Sequence, residues 1–175
     1  MANYELAYKK LRDEERGYSN HPSDSGKETY AGITRRYNPN WKGWHLIDIA
    51  KEDADNFPQN LARILPLQEL VKEFYFSEYW KKILGDDICD QHYANLVLSY
   101  SVNLGFITGV MLIQKTLKVK IDGIFGPNTL KALNASYSFI DDFKFNVIRR
   151  YIEVLREDAK NFDFIDGWIN RLEHA

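Results

Sequence analysis

The stretch Glu15-Arg-Gly-Tyr-Ser-Asn-His-Pro-Ser-Asp-Ser-Gly-Lys-Glu-Thr-Tyr-Ala-Gly-Ile-Thr34 decides how this sequence is interpreted. It follows a segment with helical periodicity, and its first half is rich in the turn-forming residues Gly, Asn, Pro, Ser and Asp. Its second half, from Thr29 to Thr34, contains β-branched and aromatic residues and could form a strand. We therefore predict a loop and a small β-hairpin near residues 24–37.

Helical patterns dominate on both sides of this stretch. Asn3 can cap a first helix that runs to about Glu15, with apolar residues three and four positions apart. The helix that follows Pro66 has a single apolar stripe, whereas the segment near residues 92–104 is apolar around most of its circumference. A helix of the second kind is typical of the centre of a domain. The sequence thus predicts a mainly α fold with a central buried helix.

The composition narrows the possible functions. The chain has 175 residues, enough for one compact domain with at most a small appended module. Lys and Arg number 23 against 25 Asp and Glu, with no basic arm, which argues against nucleic-acid binding. The single Cys89 excludes an intramolecular disulfide, and the four histidines lack paired metal spacing. We expect no metal and no cofactor.

The termini and apolar runs bear on the cellular location. No run approaches the ~18 apolar residues needed to cross a membrane. The first residues also lack the basic and then apolar pattern of a secretory signal. We therefore expect synthesis in the cytoplasm and no insertion into the membrane.

The residue types between positions 15 and 29 are those that glycosidic cleavage requires. One carboxylic acid must donate a proton to the leaving oxygen, and a second polar group must stabilise the transition state or hold a water molecule. Glu15, Asp24 and Thr29 supply these groups. The alternative is that Glu15 is a surface charge at a helix end and Asp24 a turn former.

The same stretch resembles the signature of the glycoside hydrolase family 108 muramidases. The matching residues are Glu15-Arg-Gly-Tyr18, Asn20-His-Pro-Ser-Asp24-Ser-Gly-Lys-Glu-Thr29 and Gly32-Ile-Thr34. The C-terminal part resembles the peptidoglycan-binding region that accompanies this family, through Ser101–Gly105, Gln114, Ile121–Thr129 and Gly167–Arg171. The resemblance implies a lysozyme-like fold, with a muramidase catalytic region at 1–90 and a helical peptidoglycan-binding region at 91–175, packed as one compact unit.

The resemblance also implies roles for individual residues. Glu15 is expected to be the general acid, with Asp24 and Thr29 as supporting catalytic groups. Arg16 and Lys27 stand where the family usually has Gly, so the loop would be strained at either position if the backbone requires a positive φ. Neither departure removes a reacting group.

Several side chains are candidates for contact with substrate. Aromatic faces pack against pyranose rings, and five aromatic residues lie near the signature: Tyr18, Tyr30, Tyr37, Trp41 and Trp44. About half should belong to the core; among the rest Tyr30, next to Thr29, is the preferred candidate, and we also include Tyr18. Further candidates are Asn103, which could instead end the central helix, and Trp168 with Arg171, although a C-terminal Trp more often seals a core.

Two functions remain at this stage. The first is a peptidoglycan hydrolase, an N-acetylmuramidase that cleaves the glycan strands of the bacterial cell wall. The second is a non-catalytic peptidoglycan-binding, secretion or lysis accessory protein, of which secretion activators in this family are the example. In either case we expect a monomer of phage or prophage type that acts in the periplasm or cell wall. A holin-like pore is the export route that we consider.

Overall fold

The computed structural model describes residues 1–14, 17–20, 28–53, 55–157, 162 and 165–173. Two compact units are present, one formed by Tyr8–Glu78 and the other by Met1–Ala7 with Tyr79–Ala175. The described part of both units is mainly helical, and its strands form a single small antiparallel sheet. The predicted mainly α class is confirmed.

Helix α1 spans Tyr4–Glu14. The side-chain oxygen of Asn3 accepts hydrogen bonds from the backbone N–H groups of Glu5 at 2.8 Å and Leu6 at 3.4 Å, so Asn3 caps the helix as predicted. Ala7 and Leu11, four residues apart, are buried and form the inner face.

The sheet has the strand order β1-β2-β3, with β1 at Tyr18–Asn20, β2 at Glu28–Tyr30 and β3 at Ile33–Thr34. Strands β2 and β3 form the predicted hairpin. Their two-residue turn is Ala31 and Gly32, with φ angles of 50° and 78°. Two successive positive φ angles match the twist of the flanking strands, and only the second residue is a glycine. Strand β1, which we did not predict from the sequence, is the third strand of the sheet.

Three further helices complete the unit Tyr8–Glu78. Helix α2 is Gly43–Ala50, a short 3-10 helix is Gln59–Arg63, and helix α3 is Leu65–Tyr75 with a proline in its first turn. Helix α3 continues as a π turn at Phe76–Trp80. The apolar stripe of α3 faces inward at Leu67, Val71 and Tyr75. The hydroxyl of Tyr75 donates a hydrogen bond of 2.7 Å to the carbonyl of Ala31, which ties α3 to the hairpin turn.

The other unit is built around helix α4, Gln91–Asn103. Seven of its residues between Ala94 and Ser101 are buried on several sides, so this is the predicted central helix. Its partner α5, Phe106–Thr116, comes close to α4 at Gly109, where a Cβ would lie 2.7 Å from the carbonyl oxygen of Tyr100. A glycine is therefore required at this crossing.

The remaining helices lie before α4 or after α5 in the chain. They are a short 3-10 helix at Gly85–Asp87, α6 at Pro127–Asn134, α7 at Phe139–Glu157 and α8 at Ile165–Glu173. Helix α7 packs on α5 through its buried face at Phe139, Phe143, Val147 and Tyr151. Among the described residues, no helix combines the length and the apolar character needed to cross a membrane.

Candidate active site

A cavity of about 540 Å³ lies beside the sheet in the unit Tyr8–Glu78. We call it the sheet cavity. Its walls come from four parts of the unit: the end of α1, strands β1 and β2, the 3-10 helix and α3. Residues lining it include Arg12, Gly17, Tyr18, Tyr30, Leu61 and Gln68. Arg12 and Gly17 stand on either side of position 15 in the sequence, so the cavity adjoins the part of the chain that carries the signature.

Tyr18 forms one wall of the sheet cavity. Its ring packs edge-on against Phe57 with 4.7 Å between centroids, and its hydroxyl donates a hydrogen bond of 3.1 Å to Oε1 of Glu28. Burial raises the pKa of the Tyr18 hydroxyl, and the negative charge of Glu28 raises it further. Tyr18 is therefore a fixed aromatic surface with a protonated hydroxyl.

Tyr30 forms a second wall and is only 4% exposed. Its hydroxyl accepts a hydrogen bond of 2.9 Å from the side-chain amide of Gln68, which also donates to the carbonyl of Leu61 at 2.9 Å. This burial is typical of a residue that shapes a cavity. The predicted contact of Tyr30 with substrate stays a prediction.

A network of charged side chains supports the sheet behind Tyr18. Glu28 is 12% exposed and forms ion pairs with Nε of Arg35 at 2.8 Å and Nζ of Lys51 at 2.7 Å. Arg35 also donates two hydrogen bonds to Asp48, at 2.6 and 3.0 Å, and Lys51 donates one to Asp48 at 3.0 Å. Two carboxylates thus share two cations, and the network joins the hairpin to α2 and to Lys51 just beyond it.

The network shifts the pKa values of Asp48, Arg35 and Lys51. The hydrogen bonds from Arg35, with a further contribution from Lys51, lower the pKa of Asp48 to about 2. The hydrogen bonds to Asp48 raise the pKa of Arg35. Burial on its own lowers the pKa of Lys51, but the hydrogen bonds to Glu28 and Asp48 outweigh it and the pKa is raised. Arg35, Asp48 and Lys51 are therefore held in their charged forms. The sequence analysis missed this network because its members lie in separate elements and share no motif.

Among the three predicted catalytic residues, Thr29 belongs to the described part of the chain. It is the middle residue of β2, half-buried, and is paired across the sheet with Ser19 on one side and Thr34 on the other. Glu15 and Asp24 lie outside the described residues, as do Arg16 and Lys27. Their assigned roles stay predictions.

The other predicted binding residues belong to the second unit. Asn103 is the last residue of α4 and precedes Gly105, whose φ is 79°. Trp168 stacks on Tyr151 with 4.6 Å between centroids and an interplanar angle of 16°. The backbone of Arg171 lies in α8, and its side chain is outside the described part of the structure. The roles of all three residues in substrate binding stay predictions.

One buried side-chain amide fixes the conformation of the motif at Ile121–Thr129. Gln114, 1% exposed, accepts hydrogen bonds from the backbone N–H groups of Asp122 and Gly123 at 3.0 and 2.9 Å. It donates to the Asp122 carboxylate, the Ile124 carbonyl and the Thr129 hydroxyl at 2.9–3.3 Å. Its hydrogen bond is the main reason that the pKa of Asp122 is lowered. Some of the residues that carry the resemblance in this motif therefore fix the conformation of a loop.

No three His, Cys, Asp or Glu side chains in the described part of the chain form a group that could hold a metal ion. The described polar side chains that line the sheet cavity are the guanidinium of Arg12, the hydroxyls of Tyr18 and Tyr30, and the amides of Gln59 and Gln68.

Comparison with known proteins places these observations in a family. The sequence profile of Glycosyl hydrolase 108 matches residues 8–105, more than half of the chain. The chain belongs to the glycosyl hydrolase 108 family. In this family member a second profile, described as a predicted peptidoglycan domain, matches residues 107–173. Both parts of the resemblance seen in the sequence are confirmed. The division at residues 90 and 91 stays a prediction.

The fold of this glycosyl hydrolase 108 member is similar to the solved structure of SagA from Brucella abortus. The two share 22% sequence identity with a TM-score of 0.69, over 98% of this chain and 90% of that chain. At this identity the likeness concerns the fold, and it confirms the expected lysozyme-like architecture. The search of curated proteins gave no match.

Proposed function

We propose that this member of the glycosyl hydrolase 108 family is an N-acetylmuramidase that hydrolyses the glycan strands of bacterial peptidoglycan. The family indicates a glycoside hydrolase, and the predicted peptidoglycan domain at residues 107–173 supports peptidoglycan as the substrate. The specific bond, after N-acetylmuramic acid, is part of the proposal.

The observation that carries the proposal is the sheet cavity. Arg12 and Gly17, which bracket Glu15 in the sequence, both line it. Tyr18 and Tyr30 add aromatic walls, and Gln68 adds an amide. Aromatic surfaces with a few fixed polar groups are suited to hold a sugar ring in a defined orientation.

In the proposed mechanism Glu15 donates a proton to the glycosidic oxygen as the bond to the anomeric carbon breaks. Water adds to that carbon and releases a proton to solvent, from which the Glu15 carboxylate is reprotonated. The glycosidic C–O bond is thus exchanged for a C–O bond to the water oxygen, and no cofactor takes part. Asp24 or Thr29 would orient the water or stabilise the positive charge that develops on the sugar ring. The Glu28 network would hold β2, and with it Thr29, in place.

The reaction product identifies which glycosidic bond is cleaved. Purified peptidoglycan is incubated with the pure chain, and the new reducing ends are reduced with borohydride and identified after acid hydrolysis. We expect the alcohol derived from muramic acid. The alcohol derived from glucosamine would replace the muramidase proposal with a glucosaminidase, and the absence of any new reducing end would contradict hydrolysis altogether.

A second function is favoured by Arg16 and Lys27, which replace the usual glycines of the signature. If these residues distort the loop, the chain would bind peptidoglycan without turnover, as a secretion or lysis accessory protein. Sedimentation with insoluble peptidoglycan, without release of soluble fragments, would support this function. Restoring glycine at both positions would then be expected to produce clearing.

We also propose that the protein is a monomer and that it acts in the periplasm or cell wall, which it reaches through a holin-like pore. Phage or prophage lysis is the matching context. Size-exclusion chromatography with light scattering tests the monomer, and lysis that depends on co-expression of a pore-forming holin tests the route.

A further inference from the structure

A second cavity, of about 470 Å³, lies in the unit Tyr8–Glu78 and shares no lining residue with the sheet cavity. Its walls are the segment 37–42, which leads into α2, and the C-terminal half of α3 with the following turn. We call it the Trp41 cavity. We propose that it binds a neutral N-acetylated amino sugar, as a glycan-binding site separate from the sheet cavity.

The aromatic side chains of this cavity are fixed in advance. The indole N–H of Trp41 donates to the Leu70 carbonyl at 3.4 Å, and its ring meets Trp44 edge-on at 5.1 Å and Phe74 at 6.4 Å between centroids. A Cβ on Gly43 would overlap the six-membered ring of Trp41, so the glycine provides the space that the ring occupies. Little side-chain entropy is therefore lost when a ligand packs against Trp41.

Tyr37 supplies a second aromatic surface at the same cavity. It is 68% exposed, an unusual position for a large ring, and the guanidinium of Arg36 lies 5.7 Å from the ring centroid. Two aromatic side chains, one fixed and one open to solvent, can hold the apolar face of a pyranose ring.

The polar residues of the cavity select the class of ligand. Asn40 carries an amide, and Ser77 a hydroxyl whose proton is donated to the carbonyl of Glu73, which leaves its oxygen to accept. Among the lining residues, Glu73 and Glu78 carry two carboxylates and Lys42 carries one ammonium group. This balance disfavours phosphates and other strong anions, whereas hydroxyl and acetamido groups can hydrogen bond to amide, hydroxyl and carboxylate groups alike. A neutral N-acetylglucosamine unit fits this chemistry. The inference relies on the proposed function only for the identity of the sugar.

The test uses the full chain labelled with 5-fluorotryptophan and carrying Glu15→Gln to suppress hydrolysis. The four tryptophans give separate ¹⁹F signals, and the signal of Trp41 is identified with Trp41→Phe. A tetramer of β-1,4-linked N-acetylglucosamine is then titrated. We expect the Trp41 signal to move with saturation, while the signal of Trp80, which is fully buried in the other unit, does not.

Variants at exposed tyrosines decide whether the site is the Trp41 cavity. Tyr37→Ala should weaken the affinity read from the Trp41 signal about fivefold. The matched control is Tyr137→Ala, at a fully exposed tyrosine in the other unit, which should leave it unchanged. An unmoved Trp41 signal at millimolar tetramer, or an affinity of Tyr37→Ala within twofold of the parent, overturns the inference.

The two proposals fail in different ways. If the pure parent chain clears peptidoglycan while the Trp41 signal stays unmoved, the second sugar site is wrong and the hydrolase stands. If Tyr37→Ala weakens binding while Glu15→Gln clears peptidoglycan as well as the parent, the sugar site stands and the assignment of the general acid fails.

Discussion

The hydrogen bond from Tyr18 to Glu28 connects the wall of the sheet cavity to the charged network behind it. Because the charge of Glu28 opposes ionisation of the tyrosine, Glu28→Gln should lower the pKa of Tyr18 toward its ordinary value. Chemical-shift titration of ¹³C-labelled tyrosine measures this pKa. The control is Glu69→Gln, at an exposed glutamate of α3. An unchanged pKa in Glu28→Gln would mean that burial alone raises it.

For Thr29 and Asp24, an experiment must distinguish a catalytic role from a purely structural one. We expect Asp24→Asn and Thr29→Ala to lower kcat by about tenfold or more and to affect glycan binding less, since both groups are assigned to the transition state. Kinetics on a soluble muropeptide oligomer, together with thermal melts, measure both effects. Thr34→Ala changes the cross-strand partner of Thr29 and serves as control. An unchanged kcat with a lowered melting temperature would show that the residue stabilises the turn or the strand and has no catalytic role.

At the scale of single elements, the hairpin depends on its two-residue turn. Gly32 has a φ of 78°, which an alanine adopts only at a cost, so Gly32→Ala should reduce the free energy of unfolding by about 1 kcal/mol. The same substitution at Gly167, within α8 and with open space around the position of a Cβ, should instead increase it by roughly 0.5–1 kcal/mol. Urea unfolding of the two variants compares them directly. Equal effects at both positions would contradict the role of the turn.

The network that joins the hairpin to α2 should make stability depend on pH. The pKa of Asp48 falls from 3.8 to about 2 on folding, so its contribution is complete above about pH 4 and is lost as the pH falls toward 2. The Asp48 side chain is 49% exposed, and solvent screening reduces the expected contribution to about 1 kcal/mol.

Unfolding of Asp48→Asn at pH 7 and pH 2.5 tests this expectation. The variant should be less stable than the parent at pH 7, and the difference should shrink at pH 2.5. Glu52→Gln, at an exposed carboxylate beside Lys51 in the sequence, should show a smaller difference at both values. A constant difference across the pH range would show that Asp48 acts through packing and not through its charge.

The helical elements could be predicted from the sequence because their signals are local. The Asn3 cap of α1 and the continuous apolar character of α4 are each contained in a short stretch of sequence, and the structure confirms both helices. Strand β1 has three residues and exists through pairing with β2, so no local pattern marks it. Just before α7, the Ser138 hydroxyl donates a hydrogen bond of 2.7 Å to the carboxylate of Asp142, which lies one helical turn along on the same side.

At the scale of the whole molecule, the class of fold followed from periodicity, but its lysozyme-like character followed from the signature between Glu15 and Thr34. The family profile and the fold of SagA from Brucella abortus support that conclusion. Neither cavity could be predicted, because each is enclosed by elements that are distant in sequence. Four of the five aromatic residues near the signature line these cavities: Tyr18 and Tyr30 line the sheet cavity, and Tyr37 and Trp41 line the other.

The central claim is that one carboxyl group, that of Glu15, carries the proton transfer for hydrolysis of peptidoglycan. Clearing of purified peptidoglycan by Glu15→Gln, with Glu14→Gln as the matched control at the neighbouring carboxylate, tests it most directly. An amide of the same shape cannot donate the proton, so we expect Glu15→Gln to lose about 10²–10⁴-fold in rate with an unchanged melting temperature, and Glu14→Gln to retain the parent rate. Clearing by Glu15→Gln at the parent rate would contradict the account.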